Sequence, residues 1–159
     1  MLNDKLPLVI LDMANSHMGN LEHGLRIVRE FADVTRHYPM TFGIKLQYRH
    51  LDTFVHSTYK NRMDIKYVKR FMETKLEDYE MRQLKNEIAK QGLLSVCTPF
   101  DEYSVDLLNE HQFDIIKVAS CSCTDWSLLE KIVKLDKPII ASVGGVSLTD
   151  IKNIVSFLQ

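Results

Sequence analysis

Two lysines stand out because each lies in an apolar segment with the pattern of a β-strand, at residues 41–47 and 114–119. Side chains alternate between the two faces of a strand, so Lys45 shares a face with Gln47. An ammonium group is costly to bury without a negative partner, and inward-facing Lys45 and Lys117 on neighbouring strands would repel each other. The pair therefore predicts an anionic ligand, a phosphate or a carboxylate, between them.

Hydroxyl side chains at the ends of the predicted strands would assist such a ligand, because they donate hydrogen bonds to anionic oxygens. They are Thr98, Ser120 and Ser142. The alternative is that each lysine pairs with an acidic residue of the protein, and Asp12, at the end of the first strand, could serve one of them. The residues alone leave both interpretations open.

The turn after the first strand, residues 12–20, concentrates a carboxylate, amides, a hydroxyl and an imidazole in a few positions. Asp12 and His17 are its candidates for chemistry, and Gly19 would let the backbone bend before a helix. The alternative is that the polar residues serve as turn and cap residues, with His17 a hydrogen-bonded loop histidine.

Cysteines offer a weaker signal. Cys121 and Cys123 are separated by one residue, with Cys97 one strand away. Cys97 precedes the inward-facing Thr98, so alternation directs its thiol into the helix layer. No fourth ligand is evident, which favours structural thiols over a zinc site.

The elements that must position these residues alternate between strand and helix. Strands are predicted at residues 8–14, 41–47, 93–98, 114–119 and 138–143. Helices are predicted from Asn20 onwards and at about 75–91, 102–110, 125–135 and 148–159. Capping boxes are predicted at Thr74/Glu77 and Ser147/Asp150, and a helix C-cap at Gly92.

This alternation indicates parallel βα units, which occur in doubly wound sheets and in (β/α)8 barrels. Polar residues follow every predicted strand, and only in a barrel do all strand ends meet in one ring. The fold class is therefore predicted as α/β, a (β/α)8 TIM barrel. A complete barrel takes ~250 residues, so the 159 residues are interpreted as about the first five units of a truncated or incomplete chain.

Composition excludes several classes of protein. Hydrophobic residues make up 45% of the chain and charged residues 26%, which argues against disorder. With a net charge of −1, nothing favours binding to nucleic acid or to an anionic membrane. No apolar run reaches the ~20 residues of a membrane span, and three cysteines are typical of a reducing compartment. A cytoplasmic location is expected.

The connection between the second strand and the next long helix is basic. Residues 48–75 contain seven Lys or Arg and three Asp or Glu. At the top of a barrel such a segment could cover an anionic substrate. A solvated surface segment is the alternative.

Five short motifs, in the same order and spacing, resemble the sialic acid synthase family. They are Asp12-Met-Ala-Asn-Ser-His17-Met-Gly19-Asn20, Lys45-Leu-Gln47, Cys97-Thr98-Pro99-Phe100-Asp101, Lys117-Val-Ala-Ser120 and Lys137-Pro138-Ile-Ile-Ala-Ser142-Val-Gly144. Together they span nearly the whole chain. The resemblance implies that residues 1–159 are the N-terminal portion of a single TIM-barrel synthase domain, without a second domain in this chain.

The family resemblance also implies an activity. Its members condense phosphoenolpyruvate with an N-acetylmannosamine-type sugar to a sialic-acid-type nonulosonic acid and release phosphate, using a divalent metal, Mn²⁺ or Mg²⁺. Carried over by motif, the catalytic residues are Asp12, His17, Lys45 and Lys117. The substrate-binding residues are Lys45, Gln47, Thr98, Lys117, Ser120 and Ser142. The partners implied are the two small-molecule substrates and, at full length, a second copy of the protein in a homodimer.

Three departures from the family pattern affect this inference. Asp12 stands where the family has glutamate, and Cys121-Ser122 stands where it often has Gly-Glu. The family's metal-binding histidines follow later in the barrel, so no metal ligand is expected in this chain, and the ligands are expected downstream of Gln159. Two other functions stay open: a barrel synthase or lyase that joins phosphoenolpyruvate to an aldose phosphate, and a non-catalytic barrel fragment.

Overall fold

In the computed structural model, which describes residues 6–159, strands and helices alternate along the chain. The strands are β1 (Leu8–Asp12), β2 (Thr41–Tyr48), β3 (Leu94–Pro99), β4 (Ile115–Val118) and β5 (Ile139–Ala141). The helices are α1 (Leu21–Thr35), α2 (Leu51–Phe54), α3 (Lys66–Glu73), α4 (Asp78–Lys90), α5 (Glu102–Glu110), α6 (Trp126–Ile132) and α7 (Leu148–Leu158). Every predicted strand is present, with ends that differ from the predicted ones by one or two residues.

The five strands form one parallel sheet in the order β1-β2-β3-β4-β5. Each strand pairs with the next one along the chain, in the sequential order of a (β/α)8 barrel. All strand C-termini therefore lie at one end of this half-barrel. One expectation is wrong: Lys45 and Lys117 are not on neighbouring strands, because β3 lies between β2 and β4.

The two faces of the sheet differ as strand alternation requires. One face packs against the helices and contributes to the main apolar core with Met13, Ile44, Leu46, Tyr48, Cys97, Ile116 and Val118. The opposite face carries Gly43, Lys45, Gln47, Val96, Thr98, Ile115 and Lys117 at the alternate positions. The polar residues singled out on β2, β3 and β4 thus share the inner, concave side of the half-barrel.

Helix termini mostly follow the local signals in the sequence. The Asn20 side chain accepts a hydrogen bond from the His23 N–H at the start of α1. Ser147 and Asp150 form the predicted capping box of α7, and Gly92, with φ +75°, follows α4. The capping box predicted at Thr74 and Glu77 is wrong.

Glu77 is itself the N-cap of α4 and forms a box with Glu80. Thr74 ends α3 instead, and its hydroxyl donates to the Arg70 carbonyl at 2.7 Å. The sequence pattern did not indicate α3. Because α3 ends at Thr74, this residue cannot serve as the N-cap of α4.

Residues 48–75 are folded rather than an extended loop. They contain α2, a 3-10 turn at Ser57–Tyr59 and α3, which bury Leu51, Val55 and Val68 in a small apolar cluster of their own. We call residues 48–75 the β2–α4 segment.

The sheet of the described residues has two free edges, at β1 and at β5. Beside the β1 edge lies an apolar groove of about 400 Å³, lined by Leu11, Phe31, Val34, Thr35, Tyr38, Met40 and Phe42. Within residues 6–159, no helix is both long enough and apolar enough to cross a bilayer.

Candidate active site

Lys45 forms an ion pair inside the half-barrel. The register of β1 and β2 sets Asp12 directly opposite Lys45, and the Lys45 ammonium lies 2.9 Å from an Asp12 carboxylate oxygen. The Lys45 side chain is 17% exposed and that of Asp12 is 50% exposed. The alternative that a lysine pairs with a residue of the protein is therefore realised at Lys45, with the partner that the sequence offered.

Lys117 has a different environment. Its ammonium donates to the Ser142 hydroxyl at 2.6 Å and to the neighbouring Val118 carbonyl. Among the described residues no carboxylate lies within ion-pairing distance of it. Burial lowers its pKa, and the positive charge of Lys45 lowers it further. The Asp12 carboxylate raises that pKa to a smaller extent. The two ammonium groups thus repel each other, and among the described residues only that of Lys45 lies within ion-pairing distance of a carboxylate.

The hydroxyl of Thr98 lies on β3, between the strands that carry the two lysines. Thr98 is 2% exposed, and its hydroxyl is buried without a hydrogen-bond partner. A buried polar group left without a partner costs about 1–3 kcal/mol. An anion held by the lysines would supply the missing acceptor.

The two predicted serines lie at the ends of β4 and β5. Ser142 already accepts a hydrogen bond from Lys117. Ser120 is exposed and begins a 3-10 turn, Ser120–Ser122, and its Cβ lies 4.0 Å from where a side chain on Gly144 would begin. The strand-end turns that carry these serines are therefore close together, next to Lys117.

Gln47 lies two residues beyond Lys45 on β2 and directly opposite Thr98 in the register of β2 and β3. Its side-chain oxygen accepts a hydrogen bond of 2.8 Å from an Arg49 guanidinium nitrogen, Nη2. The predicted substrate-binding residue is thus fixed by a neighbour that the sequence analysis did not identify.

Arg49 sits among three phenylalanine rings. The centre of its guanidinium lies 3.9 Å from the ring centroid of Phe100, 4.8 Å from that of Phe71 and 6.0 Å from that of Phe54. Burial lowers its pKa to about 10. The three rings are far apart in sequence, so no short-range pattern could have indicated this arrangement.

His17 has the contacts of a loop histidine. It is 4% exposed, and its Nδ1 accepts a hydrogen bond from the Gly19 N–H at 3.2 Å. Burial lowers its pKa, which favours the neutral ring. It lines a small cavity of about 60 Å³ together with Asn15, Gln47 and Arg49. A catalytic part for His17 stays a prediction.

Asp101 accounts for part of the motif that begins at Cys97. One carboxylate oxygen accepts from the Ser104 N–H at 2.7 Å and caps α5, while the other accepts from the His50 N–H at 2.8 Å. Asp101 thus ties the start of the β2–α4 segment to the helix after β3.

The thiol of Cys97 lies in the helix layer, as strand alternation predicts. Cys97 is fully buried in the helix layer, where burial raises the pKa of its thiol. Cys123 is also buried and Cys121 is exposed. Within residues 6–159, no three His, Cys, Asp or Glu side chains are grouped as a metal site would require.

Comparisons with known proteins agree with this architecture. A sequence profile of the NeuB family matches residues 42–159. The N,N'-diacetyllegionaminic acid synthase of Campylobacter jejuni is 42% identical over 69 residues, which are 43% of this chain and 21% of that protein.

Two solved structures share the fold. The Chromobacterium violaceum protein described as spore coat polysaccharide biosynthesis protein E superimposes with a TM-score of 0.92 and 52% identity, over 95% of this chain and 45% of that one. The N-acetylneuraminic acid synthetase of Leptospira borgpetersenii, in complex with citrate, gives a TM-score of 0.79 and 27% identity, over 96% of this chain and 50% of that one.

The chain spans about half the length of these two structures. It belongs to the NeuB family, whose members include sialic acid synthases, and it supplies five βα units of a (β/α)8 barrel.

Proposed function

We propose that the whole protein is a phosphoenolpyruvate-dependent synthase that makes a sialic-acid-type nonulosonic acid from an N-acetylmannosamine-like sugar and releases phosphate. One observation carries the proposal: two repelling ammonium groups face the inside of the half-barrel, only one has a carboxylate partner, and an unpartnered hydroxyl lies on the strand between them. Similarity to proteins described as an N-acetylneuraminic acid synthetase and an N,N'-diacetyllegionaminic acid synthase supports it.

Phosphoenolpyruvate suits this arrangement because it carries a phosphate and a carboxylate in one small molecule. Lys117 would bind it first, since its ammonium already lies beside the Ser142 hydroxyl and has no carboxylate to leave. The Lys45 ammonium would have to bind the ligand while it also pairs with the Asp12 carboxylate. Half of the Asp12 side chain is exposed, so water can solvate its carboxylate when Lys45 turns to the ligand.

The residues would act by orientation and charge. Lys45, Lys117 and the hydroxyls of Thr98, Ser120 and Ser142 would fix both anionic groups, so that C3 of the enol faces the sugar aldehyde. The C2=C3 electron pair then forms the new carbon–carbon bond to the aldehyde carbon, and the aldehyde oxygen takes up the proton that the attacking water releases and becomes a hydroxyl. Water adds at C2, and phosphate leaves as the 2-keto group forms. Positive charge held at the site offsets the charge of the reacting dianion throughout.

A divalent metal, Mn²⁺ or Mg²⁺, is part of the proposal for the whole protein and would polarise the aldehyde. The described residues do not fit a metal site, because no suitable cluster of ligands occurs among them. Its ligands are expected after Gln159, and the steps above assign it no residue here. We also propose that the protein acts as a cytoplasmic homodimer and binds neither nucleic acid nor membrane.

Phosphate release by the full-length protein tests the proposal. With phosphoenolpyruvate and Mn²⁺, release is expected only when an N-acetylated amino sugar is present. Release that is independent of every amino sugar tested would contradict the proposal.

The same assay, run with free and phosphorylated sugars in parallel, tests the aldose-phosphate alternative. That alternative drew on the basic charge of residues 48–75. Four of these seven basic side chains form ion pairs with nearby carboxylates, at Lys60, Arg62, Lys69 and Lys75. The other three, Arg49, Lys66 and Arg70, form no ion pair among the described residues, so the segment keeps positive charge. The proposed function expects the free sugar to be the better acceptor, and faster phosphate release with the phosphorylated sugar would favour the alternative.

A further inference from the structure

We propose that Arg49 is a positioning residue, which holds the side-chain amide of Gln47 so that its NH₂ group faces the acceptor sugar. This inference rests on the proposed function and adds a residue that no motif includes. It follows from the hydrogen bond between the two side chains, from the setting of Arg49 and from the place of Gln47 on β2.

Arg49 sets the orientation of the Gln47 side-chain amide. A guanidinium has only donors, so the Gln47 atom 2.8 Å from Arg49 Nη2 must be the carbonyl oxygen. The reversed amide would set two donors against each other. Arg49 therefore directs the two N–H donors of Gln47 away from itself, and an oxygen-rich ligand can accept them.

Arg49 is itself held in place by aromatic rings. Its three aromatic neighbours come from three different parts of the fold: Phe54 from α2, Phe71 from α3 and Phe100 from the turn after β3. Guanidinium groups stack favourably on aromatic faces. Its Nε is buried without a partner, and its position is set by the rings and by Gln47 rather than by an ion pair with a carboxylate.

The Gln47 amide lies near the C-terminal end of β2. Gln47 lies two residues closer to the strand C-terminus than Lys45, which is about 6–7 Å along β2. The lysines account for the dianion deeper in the half-barrel. The neutral amide thus lies nearer the strand C-termini, which form the end of a barrel at which substrates bind. This is the side from which an acceptor sugar would approach.

A kinetic double-mutant cycle in the full-length protein tests the inference. Arg49→Met is expected to raise the KM for the amino sugar about tenfold, with the Kd for phosphoenolpyruvate within twofold of wild type. Gln47→Ala is expected to have the same effect. The double variant is expected to be no worse than Gln47→Ala alone, because Arg49 acts through Gln47. Additive losses, or a loss of phosphoenolpyruvate affinity instead, would overturn the inference.

A second measurement does not depend on the reaction. In full-length protein labelled with ¹⁵N-glutamine, the Gln47 side-chain amide is expected to be rigid on the ps–ns timescale and to become as mobile as an exposed glutamine in Arg49→Met. Arg62→Met is the matched control, since Arg62 lies in the same segment, is half-exposed and pairs with Asp64. An equally rigid amide in Arg49→Met would overturn the inference.

Two further arms keep the outcomes distinct. If the Met variant does not fold, Arg49→Lys replaces it, because it keeps the cation among the rings but loses the planar fork, and the amide is again expected to gain mobility. If the wild-type protein shows no sugar-dependent phosphate release, the proposed function fails, and the amide dynamics alone decide the role of Arg49.

Discussion

Replacing Lys117 by methionine is expected to weaken ligand binding without a matching loss of stability. The ammonium of Lys117 donates to Ser142 and Val118 and has no carboxylate partner among the described residues. A hydrogen bond to a charged group is worth about 1.5–3 kcal/mol. Since 1.4 kcal/mol is a factor of ten, the affinity for phosphoenolpyruvate should fall about 10- to 100-fold.

The charge of Lys117 acts on the free energy of unfolding in the opposite sense. In the unfolded chain Lys117 has its ordinary pKa, and in the folded protein burial and the charge of Lys45 lower that pKa. The folded state therefore binds this proton less tightly than the unfolded state, so the charged lysine opposes folding at neutral pH. Methionine keeps much of the length and removes the charge. Methionine also loses the hydrogen bonds to Ser142 and Val118, which opposes this gain, so the ligand-free variant should stay close to wild type in stability.

Calorimetric titration of phosphoenolpyruvate and thermal unfolding of the ligand-free, full-length protein measure both quantities. Lys131→Met is the matched control, because Lys131 pairs with Asp106 in the helix layer. The control should keep wild-type affinity and lose at most about 1 kcal/mol of stability. Unchanged affinity in Lys117→Met would refute the assignment of Lys117 to the site. A clear loss of stability would refute the view of its charge as uncompensated.

Three further perturbations test other parts of the structure. Thr98→Val removes the buried, unpartnered hydroxyl, so urea unfolding should show equal or higher stability. Calorimetry should show weaker phosphoenolpyruvate binding, and unchanged binding would mean that Thr98 does not contact the ligand. Gly19→Ala should destabilise the protein by more than about 1 kcal/mol in the same unfolding assay. The φ angle of Gly19 is +68°, and the new Cβ would lie 2.7 Å from the Glu73 carbonyl oxygen. Wild-type stability of this variant would contradict the close packing at Gly19. Burial lowers the pKa of His111 in the folded protein, so as the pH falls this side chain is protonated in the unfolded chain before it is protonated in the folded one. The free energy of unfolding should therefore decrease below about pH 6.5. The decrease should be shallower in His111→Asn, and an identical pH dependence would exclude His111 as a cause.

The fold was predictable because its signals are local and repeated. Each strand is a short apolar run followed by a polar turn, and alternation alone assigned Cys97 to the helix layer and Lys45 to the inner face, both as observed. The sequential parallel order of the strands follows from the same repetition.

Features that depend on contacts between distant residues were less accessible. The sequential strand order of a barrel already sets β3 between the strands of Lys45 and Lys117, so the expectation that these two strands are neighbours did not follow from the predicted fold. The Thr74-x-x-Glu77 pattern fits a capping box locally, and nothing in it indicates α3, which has no side-chain cap at its start and ends at Thr74. Arg49 was missed because its aromatic neighbours come from three separate elements and meet only in the folded chain.

Within the candidate site, the residue types were predictable and their partners only partly so. Asp12 was identified as a possible partner of one lysine, and the β1–β2 register selects Lys45 for it. The bond between Lys117 and Ser142 depends on the spacing of β4 and β5, which only the structure supplies. The geometry therefore turns two equivalent lysines into an ion-paired one and an unpaired one.

A crystal structure of the full-length protein with bound phosphoenolpyruvate tests the central claim most directly. We predict one ligand molecule within hydrogen-bonding distance of both Lys45 Nζ and Lys117 Nζ, with the Thr98 hydroxyl donating to it. A ligand bound elsewhere, or one that touches Lys117 while Lys45 stays paired with Asp12 alone, would contradict the account.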